Sequence, residues 1–177
     1  MTQKKLTYFI TILFILITII IGINLLVNYK STVDVRKENE LIHFIEQTDK
    51  VRNISIVKQS DYQELHCVLY TLGGYLRLFI LEKSIIPNRY NYYGGAGGTN
   101  RFRTYNFADS KGVLIIVYGD NTEIQADTYT LKNSTITYTE NIHNMDYVLR
   151  VYRIPDSYNL DSDLCTFDAN ETLISEY

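Results

Sequence analysis

Between Leu6 and Tyr29 the chain carries no charged side chain: "LTYFITILFILITIIIGINLLVNY". As a helix rising about 1.5 Å per residue, this run covers the roughly 30 Å hydrocarbon core of a bilayer. Its many β-branched isoleucines disfavour a helix in water. In lipid the backbone must satisfy its own hydrogen bonds, and a helix does so. The competing reading is a core helix, but a helix apolar all round needs a large protein to bury it. The rest of a 177-residue chain is too small for that. A membrane span over residues 6–29 is therefore predicted, with residues 1–5 as a cytoplasmic tip and the lipid bilayer as first partner.

The run also differs from a cleaved leader. Lys4 and Lys5 form a basic start, but the apolar stretch exceeds the usual run of about 7–15 residues and has no small-x-small cleavage site. The first alanine is Ala96, and no cysteine stands just after the run to accept a lipid. It reads as an uncleaved signal anchor. Lys4 and Lys5 before the span nearly balance Lys30, Arg36 and Lys37 after it, so the Lys/Arg rule leaves the orientation close to a tie. An even number of cysteines and many tyrosines and threonines in strand-like patterns favour an extracytoplasmic C-terminal part.

Residues 30–50 read as a short juxtamembrane amphipathic helix, with Val35, Leu41, Ile42 and Ile45 on one face and Asp34 as the candidate cap. From residue 51 to 177 the pattern is that of strands. The clearest element is "LHCVLYTLGGYLRLFIL". Gly73-Gly74 supplies the positive φ values of a two-residue hairpin turn. Leu72 then pairs with Tyr75, and partner numbers sum to 147. Cys67, Leu69, Thr71, Leu76, Leu78 and Ile80 share one face, and Tyr70 faces Arg77 on the other.

"GVLIIVYGDN" reads as a central strand buried on both faces. Two strands flank a turn at Lys132-Asn133-Ser134, "DYVLRVYRIP" is another, and "DLCTFD" and "ETLISEY" form a last hairpin around Asp168-Ala169-Asn170. The expected fold class is α+β: two helices, then a mainly antiparallel, β-rich domain of seven or eight strands.

The segment "NRYNYYGGAGGTNRFR" (88–103) reads as a glycine-rich loop. Neither the Walker nor the dinucleotide spacing is present. Lys83, Arg89, Arg101 and Arg103 gather there without an acid, whereas eight acids face Arg150 and Arg153 between Glu140 and Tyr177. Exposed backbone N–H groups beside arginines suit an anion, and Tyr90, Tyr92 and Tyr93 suit a sugar ring or a partner surface. The sequence leaves three readings open: a structural connection, a partner or glycan contact, and a small anion pocket. The candidate contact residues are Tyr92, Tyr93, Arg101 and Arg103.

Other chemistry is sparse. Cys67 and Cys165 are a candidate disulfide in an exported domain, against two buried free thiols. His66 adjoins Cys67 but points to the other face of a strand, so the two form no catalytic pair. His43, His66 and His143 lack metal-ligand spacing, and Asp161, Asp163, Asp168 and Glu171 lack the order of a calcium loop. No metal, no cofactor and no catalytic signature is read. Asn53, Asn133 and Asn170 head glycosylation sequons of the kind chance supplies in an asparagine-rich chain. A net charge of −3 behind a membrane anchor argues against nucleic acid.

The Lys-Lys-apolar leader, the abundance of Ile, Asn, Tyr and Lys, and the segments "IIPNRYNYYGGAGGTNRFRTYNF" and "VLIIVYGDN" resemble small, uncharacterised single-pass exported proteins of low-GC Gram-positive bacteria. The resemblance implies a cell-envelope location and lends no activity and no catalytic residue. The expectation is a membrane-anchored binding or accessory module with a protein or envelope-polymer partner. The alternatives are an anchored enzyme acting on a glycan or phosphate-bearing polymer, with Arg101 and Arg103 holding the anion, and a cytoplasm-facing regulator of a membrane complex.

Overall fold

The computed structural model describes residues 3–99, 101–134, 136–155 and 160–177, with side chains for these except 3–7, 9, 25, 28 and 99. Helix α1 (Gln3–Lys30) leads directly into a two-residue strand, β1 (Thr32–Val33), and helix α2 (Glu38–Asp49). Eleven further strands follow: β2 (Ser55–Tyr62), β3 (Leu65–Leu72), β4 (Tyr75–Lys83), β5 (Tyr90–Thr99), β6 (Arg103–Asp109), β7 (Gly112–Asp120), β8 (Thr128–Lys132), β9 (Thr137–Asn141), β10 (Tyr147–Ile154), β11 (Asp163–Phe167) and β12 (Leu173–Glu176). All pairings are antiparallel. They make a five-stranded sheet A (β1-β5-β4-β3-β2), a three-stranded sheet B (β10-β7-β6) and a four-stranded sheet C (β12-β11-β8-β9).

These elements stack in four layers, because sheets A and B are apolar on both faces. Leu41 and Ile45 of α2 bury against Val68, Tyr70, Phe79 and Leu81 of sheet A. The other face of sheet A, with Cys67, Leu69, Leu76, Leu78 and Ile80, packs on Leu114, Ile116, Tyr118 and Leu149 of sheet B. The far face of sheet B, with Val113, Ile115, Val117 and Val148, packs on Tyr129, Leu131 and Leu164 of sheet C. An antiparallel sheet usually keeps one face wet. Here β7 reads as a continuous apolar run, and β3 is buried along most of its length, because each is covered twice.

The β3–β4 hairpin has the expected register: Leu72 pairs with Tyr75, Leu69 with Leu78 and Cys67 with Ile80, and Gly73 and Gly74 have φ of 59° and 84°. The β11–β12 hairpin also forms, its turn closed by Asp168, whose Oδ1 accepts from Asn170 N and Thr172 N at 2.9 and 2.8 Å.

Three expectations are corrected. The juxtamembrane segment is not one helix, since Thr32 and Val33 pair with Asn91 and Tyr90 before α2 begins. Asp34 does not cap α2. Its carboxylate holds Arg36 through Nε and Nη2 at 2.9 and 2.7 Å, and Lys37 sits at the cap position without a side-chain bond. The glycine-rich segment is not a loop. It is strand β5, and none of its glycines has a positive φ; Asn100, at its end, lies outside the described residues.

Why glycine in a strand? Two register shifts against β4 each add a residue on β5, around Tyr93 and around Gly97-Gly98. Such bulges bend a strand. At Gly95 a Cβ would stand 2.5 Å from the Leu78 carbonyl oxygen, so only glycine lets the bent strand approach β4 this closely.

Among the described residues no helix is long and apolar enough to cross a membrane. Polar side chains within α1 bond back to its own carbonyls. Thr18 Oγ1 donates to Phe14 O at 2.9 Å, and Asn24 Nδ2 to Ile20 O at 3.0 Å.

Candidate functional site

Where the ends of sheets A and B meet, the seam between them opens into a cleft of about 250 Å³. Its floor is the apolar interior itself, at Leu65 of β3 and Leu114 of β7. Tyr62 from the end of β2, Tyr93 from β5 and Phe107 from β6 form its walls, with the Tyr93 and Phe107 rings 5.3 Å apart. Tyr93 reaches this position as the extra residue of a β5 bulge, which turns its ring toward sheet B.

Around the aromatic walls stand Glu64, Glu82 and Asp109, with Lys111 and Arg153. Arg153, on β10, grips Asp109 with both guanidinium ends, Nη1 to Oδ1 at 2.8 Å and Nη2 to Oδ2 at 2.9 Å. Such a two-pronged bond is charge-assisted and directional. It holds the Asp109 carboxyl down to about 2, helped by the Lys111 backbone N–H. The buried Nε–H of Arg153 makes no hydrogen bond. Burial pushes the Tyr93 phenol up, and the Glu82 and Asp109 charges push it further, so these groups share one electrostatic environment. The cleft combines aromatic faces, planar polar groups and an apolar floor. It is lined by no cysteine or histidine.

The four sequence-selected contact residues do not form one site. Tyr92 turns to the opposite face from Tyr93, where its ring lies 4.7 Å from Phe79 on the α2 side. Arg101 and Arg103, both exposed, line a separate depression with Tyr75, Gly98 and Tyr177, beside the far end of β4.

Arg89, counted in the basic group, is internal. Its Nε donates to Thr32 Oγ1 at 2.7 Å, and its Nη2 reaches Glu40 Oε1 at 2.7 Å and Tyr29 O at 3.4 Å. The divided charge of the sequence is thus partly spent inside the fold.

Both cysteines are free. Cys67 lies between sheets A and B while Cys165 is on β11 in sheet C, so the disulfide considered from the sequence is not formed. Burial, and secondarily the Asp61 charge, push the Cys67 thiol up to about 12, where it is no nucleophile at neutral pH. His66 faces away from it, with both ring nitrogens engaged, Nδ1 with Asp61 at 2.7 Å and Nε2 with Gln59 at 2.9 Å. The Asn133 sequon is closed: this side chain is buried and its Nδ2 donates to Asp161 O at 2.6 Å; Thr135 of that sequon lies outside the described residues.

One pair went unseen in the sequence. His143 Nδ1 and Asp127 are hydrogen-bonded at the rim of an open depression on the outer face of sheet C, lined also by Thr128, Thr130, Thr139 and Asn141. The β8–β9 hairpin joins them, since Ile142 N donates to Asp127 O at 2.8 Å just beyond the last pair, Thr128–Asn141. Extending that hairpin by one residue was the available signal.

Among the described residues no cluster of His, Cys, Asp or Glu is placed to hold a metal ion. Compared with known proteins, the chain matches no family model, no curated protein and no solved structure.

Proposed function

We propose that this chain is a single-pass membrane-anchored binding module whose β-rich domain stands on the extracytoplasmic side of the cell envelope. The observation that carries the reading is the junction at Tyr29–Thr32, where Arg89 ties the end of α1, whose residues 6–29 carry no charged side chain, directly into sheet A. An anchor helix loosely appended to a domain needs no buried arginine at its exit. As sequence, the uncharged run 6–29 is long enough to cross a bilayer, and Thr18 and Asn24 each donate a side-chain hydrogen bond to a carbonyl of their own helix, as suits a lipid environment. The cleft at Tyr93 and the exposed Arg101–Arg103 depression are the surfaces such a module would present.

The test is topology. In a Cys67→Ala, Cys165→Ser background, Asn170→Cys places one thiol in the exposed β11–β12 turn. Labelling of intact cells by a membrane-impermeant maleimide is the expected result. Labelling only after lysis would overturn the extracytoplasmic placement. That outcome would select the second reading, a cytoplasm-facing regulator of a membrane complex.

A further inference from the structure

We propose that the cleft walled by Tyr62, Tyr93 and Phe107 takes a single sugar ring, held close to the bilayer surface. The assignment rests on reading the chain as a membrane-anchored binding module.

Three observations carry it. First, about 250 Å³ falls below the roughly 300–1,000 Å³ of pockets for drug-sized ligands and leaves room for one ring. Second, the lining has the two chemistries that a sugar ring presents. Its C–H face needs an aromatic or apolar surface, supplied by Tyr93, Phe107, Leu65 and Leu114. Its hydroxyls need planar donors and acceptors at the edge, supplied by Glu82, Asp109 and Arg153. Because Arg153 and Asp109 neutralise each other, that pair favours neither a bare anion nor a bare cation.

Third, register fixes where the cleft lies. Glu82 pairs with Asn91, and Asn91 pairs with Thr32, two residues beyond the end of α1. At about 4.8 Å between neighbouring strands, Glu82 stands roughly 10 Å from the point at which α1 enters the domain. The Arg101–Arg103 depression belongs to the other end of β4, beside Tyr75. A ring bound at Tyr93 is therefore one found near the membrane, either on a glycolipid headgroup or in a glycan lying along the surface.

The experiment uses the full chain in phosphatidylcholine nanodiscs, with saturation-transfer NMR on methyl β-glucoside and on N-acetylglucosamine, and choline chloride as a cationic control. Transfer to at least one sugar is expected. It should weaken at least tenfold in Tyr93→Ala and in Glu82→Gln, and largely persist in Tyr93→Phe, which keeps the ring. Glu82 is exposed, so Glu82→Gln carries the test if Tyr93→Ala fails to fold.

Silence with both sugars, undiminished transfer in the folded variants, or transfer to choline instead would overturn the assignment. In a second arm, discs containing glucosyl-diacylglycerol suppress the free-sugar signal if the ring is lipid-borne, and leave it unchanged if the ring comes from a soluble glycan. Discs expose both faces, so this result is independent of topology. A silent cleft leaves the labelling result standing, and cytoplasmic labelling leaves the sugar result standing.

Discussion

The Arg89 guanidinium carbon lies 3.9 Å from the centroid of the Tyr29 ring, stacking a buried cation on the last turn of α1. The same side chain reaches the Tyr29 carbonyl, where the helix dipole is negative, and the Glu40 carboxylate on α2. One residue from the β4–β5 connection thereby joins α1, β1 and α2.

Replacing Arg89 with alanine takes from Glu40 its closest cationic partner, leaving it the Asp34 N–H and the more distant Lys37. It also takes from the Tyr29 carbonyl one of its two donors, the other being Thr32 Oγ1. The expected cost is on the order of 3 kcal/mol, at the low end for a broken buried pair because the Glu40 side chain is 33% exposed. Thermal melts in nanodiscs check the magnitude. Limited proteolysis should show new cleavage near Lys30–Ser31. Arg89→Lys should not rescue, because an ammonium cannot bond Thr32 and Glu40 in one plane while stacking on Tyr29.

Glycines of β5 differ in what they tolerate. Gly95→Ala drives a Cβ into the Leu78 carbonyl and should cost roughly 1–3 kcal/mol, as over-packing does. Gly97→Ala meets nothing within 4 Å and should be nearly neutral. Equal melting temperatures for the two variants would show that the bulged strand does not press on β4.

The Arg153–Asp109 pair has a defined pH signature. The Asp109 carboxyl is lowered from 3.8 to about 2 in the folded protein, so its contribution is fully present above the unfolded value and fades as pH falls through about 2. Wild type should therefore exceed Asp109→Asn in melting temperature at pH 6, with the gap closing on acidification from pH 4 to pH 2. A gap unchanged across that window would mean that the pair does not contribute as an ion pair.

Cys67 should resist alkylation at pH 8 in the folded chain and react only on unfolding, since burial holds its thiol near 12. Oxidation should leave mobility on a non-reducing gel unchanged, the two thiols lying in different layers. A faster-migrating oxidised band would indicate a Cys67–Cys165 bond and a different packing of sheet C.

What could be read in advance followed from local side-chain alternation. The β3–β4 register came from two glycines and an apolar period of two, and β7 announced its double burial by an unbroken apolar run. Strand β5 hid because glycine contributes nothing to alternation. A run of four glycines in five residues looks like a loop until β4 is there to pair with it. Arg89 gave no sign of its role, since Tyr29, Thr32 and Glu40 lie far from it in sequence and meet it only after sheet A forms. The cleft was legible only at Tyr93. Tyr62, Glu82, Phe107, Asp109 and Arg153 come from separate strands, and their convergence depends on how two sheets are laid over each other.

The double coverage of sheets A and B also limits how this domain can change. A sheet with a wet face can acquire a new ligand by substitution across that face, one side chain at a time. On the central strands β3, β4 and β7 most such positions already support a neighbouring layer, and a polar replacement there would open the stack. Novelty is left to strand ends, to seams between layers and to the outer face of sheet C. The Tyr93 cleft, the Arg101–Arg103 depression and the His143–Asp127 rim all lie there, so the specificity of such a domain can drift in its turns while its strands stay fixed.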